Sequence, residues 1–421
     1  MSFLKNQFQQ VRQGGGRVLL SKIGKAGIGL LRLPVYILAI PLVLVIRLIS
    51  PIYLVRFGTL ISSRIGHLGA NTELYLCELE AGINKPHTAF LDLFYHTQLP
   101  VCNHQLVKMW KRVIHVVPAW LLGPLHAVNR AVPGWKVHEI ENAQHDRDIH
   151  NLLDSQSPHL RFTDEEEQRG EAGLRKLGIV AGVPFVCLLV RDSAYLPDDS
   201  WSYHNYRDCS ISNYVLAAEA LADRGYIVIR MGAKVHAPLG SKHPNVLDYA
   251  YLGLRTDFMD IYLGAKCAFC LSTSSGWDAV PLIFRRPIIY VPIVPLGYMF
   301  TFSKRFIAIT KHHIDAGTGQ ELTLSQLFER GVGFSVVAAE YESKKVQLRE
   351  NTPEEIRNVA LEYDDILKGD WTDTPEDATR QQRFWEIFPV SARDKYGIPL
   401  HGEIKARFSA SFLRNNPNWL N

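Results

Sequence analysis

The sequence predicts an α/β protein of two domains built on parallel sheets, behind a basic and apolar leading segment. Three observations carry that reading. From about residue 52 onward, short apolar runs alternate with single helical patterns, as parallel strands and crossover helices do. The chain has 421 residues, whereas a single hydrophobic core rarely grows beyond ~250–300. The stretch before Glu73 holds no acidic residue.

That leading segment carries Lys5, Arg12, Arg17, Lys22, Lys25, Arg32, Arg47, Arg56 and Arg64, so the net charge of +4 conceals a basic start on a slightly acidic body. Residues 33–46, LPVYILAIPLVLVI, are apolar between Arg32 and Arg47. At ~1.5 Å per residue this run falls short of a ~30 Å hydrocarbon core. Pro34 and Pro41 lie inside it. The expectation is a kinked interfacial or re-entrant helix on an anionic membrane surface, peripheral or monotopic. A buried core helix is the alternative. A cleaved signal peptide does not fit, because no Ala-x-Ala pattern follows. No basic stripe interleaved with aromatics continues into the folded part, so nucleic acid is not an expected partner.

The next elements read as a strand at 53–57, a turn at Gly66-His67 and Gly69, and a helix from Asn71-Thr72 to Gly82. A strand at 88–95 and helices at 103–115 and 118–132 follow, and the polar run 144–168 suits a linker. The second half alternates cleanly. Strands fall at 185–190, 226–231, 267–271, 288–291 and 306–309, with helices at 213–224, 257–264 and 277–285 between them. A solvated helix at 353–368 and an aromatic one at 379–388 close the chain. The expected domains are 1–57 for membrane association, 58–165 for an acceptor and 166–389 for a donor, with the tail 390–421 packed back on the acceptor domain. The six cysteines are scattered and mostly in apolar surroundings, which reads as buried free thiols.

In a doubly wound sheet, ligands sit at the carboxyl ends of the strands. Three polar turns fall there: Arg191-Asp192-Ser193, Arg230-Met231-Gly232, and Ser272-Thr273-Ser274-Ser275-Gly276. The last runs into a helix, where backbone N–H groups and the helix dipole suit a phosphate and Gly276 permits close approach. An ordinary helix cap explains the same residues. Arg191 and Arg230 each close an apolar strand, where a guanidinium needs a partner: a diphosphate by bidentate geometry, or a pair with Asp192 or Asp208. Tyr206 and Arg207 lie in the loop before the next helix, which either reaches a base, ribose or sugar or only caps that helix. Asp278 sits in the first turn of the helix, where capping also accounts for it. His67 is the candidate general base, on a glycine-flanked turn at a helix start, with a satisfied loop histidine as the alternative; Glu73 orients it or serves as base itself. No Walker A, G-x-S-x-G, H-E-x-x-H or G-x-G-x-x-G pattern is placed to act. Asp146-Arg147-Asp148 follows polar residues and not a buried strand, so no metal site is expected.

The stretches SSRIGHLGANTELYLCE, VRDSAYL, HNYRDCSISNYVLAAEALADRGYIVIRMG and TDFMDIYLGAKCAFCLSTSSGWDAVPLIFRRPIIYVP resemble a family of bacterial surface-polysaccharide glycosyltransferases. These have the GT-B architecture of two Rossmann-like domains. The VRD and Ser-Ser turns are distantly similar to fucosyltransferase donor domains, which implies donor contacts for Arg191, Ser274 and Ser275. VRDSA lacks the doubled basic residue of those enzymes. The resemblance implies a hexosyl- or deoxyhexosyltransferase without cofactor; the basic, apolar start makes it membrane-associated, and the lack of a placed D-x-D makes it metal-independent. It would move a sugar from a nucleotide-diphosphate sugar to a glycan or lipid-linked acceptor at the cytoplasmic face of the inner membrane, with inversion. A nucleotide-sugar epimerase of the same architecture and a non-catalytic membrane-bound binding protein are the alternatives.

Overall fold

The computed structural model describes residues 33–140, 147–195 and 199–421. The basic positions Lys5 to Arg32 and Asp146 lie outside them. The described residues divide into two compact units: 33–60, 85–97 and 114–140 form one, and 61–84, 98–113, 147–195 and 199–421 form the other.

In the first unit, β1 (Tyr53–Leu60), β2 (Ala89–His96) and β3 (His115–Val116) make a parallel three-stranded sheet in that order. Helix α1 covers residues 33–49. Its inner stripe holds the buried Ala39 and Val43, four residues apart on one face. Ile46 packs on Val55, Phe57 and Leu122, and the Arg47 guanidinium donates to Asn129, Val132 and Pro133. The rest of its perimeter is apolar and exposed, with Leu38 at 65% and Leu48 at 80%. Among the described residues no helix is long and apolar enough to cross a membrane.

The second unit begins where β1 ends. A π-helical turn, His67–Asn71, runs into α2 (Thr72–Glu80). Ala70, Leu74 and Cys77 join the large core, together with residues of the main sheet. Then come α3 (His104–Trp110) here, α4 (Ala119–Arg130) in the first unit, and α5 (Asp164–Lys176), which opens on a Thr163–Glu166 capping box inside the expected linker. The main sheet has seven parallel strands in the order β12-β9-β8-β7-β4-β5-β6. Its members are β4 (Phe185–Leu189), β5 (Ile227–Met231), β6 (Val246–Leu247), β7 (Cys270–Ser272), β8 (Ile288–Tyr290), β9 (Phe306–Ala308) and β12 (Arg407–Phe408). Helices α6 (Val215–Asp223), α7 (Asp257–Lys266) and α8 (Ala279–Ile283) connect them. A separate antiparallel pair joins β10 (His312–Asp315) to β11 (Val346–Arg349). The remaining helices are α9 (Leu324–Glu329), α10 (Ala338–Ser343), α11 (Pro353–Lys368), α12 (Pro375–Ile387) and α13 (Ala410–Asn415).

The tail 390–421 bonds to the 58–165 stretch through Asn151, which exchanges hydrogen bonds with Glu403, and it also joins the main sheet: β12 adds to β9, and Phe408 and Trp419 stack with Phe384 of α12. The helix expected at 277–285 is a short 3-10 turn, Gly276–Asp278, continued by α8.

Candidate functional site

Strand order fixes where a ligand can sit. From β4 the chain builds outward through β5 and β6, then returns to lay β7, β8 and β9 on the other side. The carboxyl ends of β4 and β7 therefore flank the point where winding direction reverses, the usual crevice of such sheets. Arg191 leaves β4 there, and its backbone N–H donates to the Thr273 hydroxyl at 2.8 Å. Ser274 follows in the left-handed region at φ 56°, a conformation uncommon outside glycine. This turn aims the 274–276 segment toward a cavity of ≈ 670 Å³.

The cavity is lined by His67, Arg191, Asp192, Tyr206, Arg207, Gly232, Ser274, Ser275, Gly276 and Asp278. The structure thus brings together most residues read from sequence. Arg191 donates through Nε to Asp208 at 3.0 Å. Among the described residues its terminal nitrogens have no protein acceptor, so the pair orients the guanidinium without using it up. Arg207 donates to the Ser274 carbonyl. Asp192 accepts from the backbone of Ala194 and His236, so its carboxylate shapes two loops. Asp278 accepts from the Ser272 hydroxyl at 2.9 Å.

Four candidates take other places. Ser272 and Thr273 are buried beneath the turn and support it. Arg230 does not line the cavity: it is 1% exposed and donates to Ala237 O at 2.5 Å and Asp248 at 3.2 Å, with Asp192 at 3.9 Å. Burial with two carboxylates makes it the structural ion pair, because the 237–248 loop folds back over it. Glu73 is fully buried and bonded to Arg285 and His159, away from the lining.

Other lining residues escaped the sequence reading. Arg64, Arg147, Lys234 and Arg255 bring the basic side chains to six, against three aspartates: Asp192, Asp260 and Asp278. Arg64 lies within the conspicuous SSRIGHLG stretch; the rest carried no sequence signal. Burial and the charges of Arg207, Arg191 and Arg64 push His204 down to about 4, which keeps it neutral and marks the excess positive potential. Burial pushes Asp260 up to about 7 against the pull of Arg255. Beneath the Tyr206–Asp208 loop, the buried Lys311 ammonium donates to the carbonyls of Tyr206 and Asp208 at 3.1 and 2.6 Å, which holds Arg207 between two fixed points. At the far wall Tyr298 and Phe300 face the cavity, with the Arg147 guanidinium over both rings. His67 leads the π-helical turn, and its Nδ1 is buried without a hydrogen-bond partner. Single π turns of this kind concentrate at functional positions.

No protein-family model and no curated protein matches the sequence. Among solved structures, the chain is similar to an ADP-heptose lipopolysaccharide heptosyltransferase II of E. coli. Identity is 14% and the TM-score 0.39, over 69% of this chain and 98% of that one. It is also similar to a family 9 glycosyl transferase of Veillonella parvula, at 11% identity and a TM-score of 0.35, over 56% of this chain and 79% of that one. A third similarity is to an E. coli heptosyltransferase with ADP, at 12% identity and a TM-score of 0.28, over 56% and 87%.

Proposed function

We propose that the switch-point cavity holds the diphosphate of a nucleotide ligand, and that the protein is a glycosyltransferase using a nucleotide-diphosphate sugar. The observation that carries the reading is the excess of cations at the ends of β4 and β7, facing a hydroxyl and glycine turn. Arg191 and Arg207 bring charged donors to the cavity, and Ser274 and Ser275 add hydroxyls. Such donors strengthen their hold as negative charge grows on a departing diphosphate, which is how a site without a metal stabilises the leaving group. His67, which lines the same cavity, is the general base for an acceptor hydroxyl in a single inverting displacement. The family resemblance of the 60–300 stretches supports the same reading, with a glycan or lipid-linked acceptor.

The apolar outer face of α1, joined to the basic character of the sequence around it, fits an anionic lipid surface at the cytoplasmic side of the inner membrane. The test is incubation of purified protein with a panel of nucleotide sugars, with and without EDTA. Transfer or hydrolysis that survives chelation supports the reading. An epimerised sugar identifies an epimerase, and the absence of both binding and turnover ends the nucleotide assignment. Activity lost in EDTA and restored by magnesium overturns the metal-free mechanism.

A further inference from the structure

We propose that Glu73 and Arg285 form a positioning pair, which fixes the His67 turn against the Ser274–Gly276 turn; the proposal rests on the donor-site reading above. The two turns meet through glycine. A Cβ on Gly66 would lie 3.1 Å from the Cα and carbonyl oxygen of Gly276, and one on Gly69 would lie 3.5 Å from the Ala279 side chain. The backbone-to-backbone contact at Gly66 permits close approach, and beside it Ala70 and Leu74 share one core with Ala279 and Leu282. Apolar packing of this kind is not directional, so a buried ion pair between the same two elements adds a fixed register.

The Glu73–Arg285 pair is placed to do so. It joins α2, which continues the His67 turn, to the end of α8, which continues the Ser274 turn. Arg285 Nη2 donates to Glu73 Oε1 at 2.6 Å, and the two side chains are 8% and 0% exposed. The same guanidinium also donates to the carbonyls of Gln156, Ile283 and Ser157 at 3.0, 2.5 and 3.1 Å. His159 reaches the same Glu73 oxygen through its backbone N–H and Nδ1. Burial lowers His159, but the hydrogen bond and charge of Glu73 outweigh it and raise the ring.

The backbone of Arg285 shows what this arrangement costs. It stands just past α8 at φ 60°, where a helix end normally takes glycine. An arginine there keeps an unfavourable backbone conformation in exchange for its side chain. Glu73, Cys77 and His159 also offer ligand atoms within 4.8 Å of one another. Arg285 already supplies the positive charge that a metal would bring to that cluster, so the arrangement is a clamp between two turns.

The experiment uses the full chain carrying Arg285→Gly, which removes the side chain while giving the backbone the residue its conformation suits. Misplacing reacting groups by about 1 Å costs on the order of 10² in rate, so kcat is expected to fall about 10–10²-fold. The Kd for UDP or GDP is expected to stay within about twofold, and Arg285→Lys to recover part of the loss. In a His67→Ala background Arg285→Gly is expected to lower kcat no further, because the pair acts through His67. Amide exchange over residues 65–71 is expected to quicken. Equal losses in both backgrounds, or a Kd that weakens in step with kcat, would mean a general structural role and overturns the proposal. Unchanged exchange with unchanged activity overturns it too. Should Arg285→Gly not fold, Glu73→Gln carries the same measurements. If His67→Ala itself keeps full activity, the base assignment falls, and the exchange of 65–71 alone decides whether the pair positions that turn.

Discussion

The backbone N–H of Arg191 donates to the hydroxyl of Thr273, and the N–H of Thr273 returns to the carbonyl of Leu189. These two bonds stitch the ends of β4 and β7 together where the winding of the sheet reverses. A guanidinium from one strand end and a hydroxyl turn from the other are thereby held to one geometry before any ligand arrives. Such preorganisation lets charged donors act on a leaving group without being reoriented during the reaction.

Arg191 and Arg230 separate the site from its scaffold. Arg191→Ala is expected to weaken nucleoside-diphosphate binding and to lower turnover on the order of 10²–10³, about 2.7–4 kcal/mol. Its melting temperature should change little, because the side chain is partly exposed and its pair with Asp208 is correspondingly weak. Arg230→Ala should do the reverse. It strands Asp248 beside an emptied buried position, and removing one partner of a buried pair costs about 3–5 kcal/mol of stability. Calorimetric titration beside thermal denaturation of both variants checks the contrast. Equal melting losses would mean that Arg191 is scaffold as well.

That contrast also marks how far the sequence could be read. Arginines 191 and 230 stand alike at the ends of apolar strands, and nothing local distinguishes them; the loop that brings Asp248 over Arg230 is a tertiary fact. Strands buried on both faces announce themselves as apolar runs, so β4, β5, β7, β8 and β9 were legible to within about three residues at each end. The Ser274 turn was legible because small hydroxyls and a glycine break such a run. The two-residue strand β12 is too short to show a period, which hid the return of the tail to the main sheet. The assignment of residues 61–84 to the larger unit depends on packing of Ala70, Leu74 and Cys77 that no spacing reveals.

His67→Ala is expected to leave nucleoside-diphosphate affinity nearly unchanged while turnover falls by roughly 10²–10⁴, as for a lost general base. Turnover and binding assays on the same preparation check it. Loss of nucleotide binding would place His67 on the donor, and full activity would remove it from the mechanism.

Charge placed on the outer face of α1 should release the protein from lipid without unfolding it. Leu38 and Leu48 are 65% and 80% exposed, so Leu38→Glu with Leu48→Glu removes apolar surface that the fold does not use. Flotation with vesicles containing anionic lipid is expected to show wild-type binding that salt loosens only partly, and little binding by the variant. Equal flotation of both proteins, at matched melting temperature, would rule out α1 as the membrane contact.

His312 predicts how stability depends on pH. Its ring lies 5% exposed between Glu321, 2.6 Å from Nδ1, and Glu355, 3.0 Å from Nε2. Burial opposes its protonation, yet hydrogen bonds and charge from the two carboxylates outweigh burial and push it up to about 9. A histidine raised in the folded state binds its proton more tightly there than in the unfolded chain. Its contribution is therefore complete below about pH 6.5 and is lost as pH rises through about 9. The shift corresponds to about 3 kcal/mol. Wild type should lose that stability between those limits, and His312→Gln should be less stable at pH 6 yet show a flatter profile up to pH 9.5. Denaturation midpoints across this range check it; parallel profiles for the two proteins would mean that another group carries the alkaline loss.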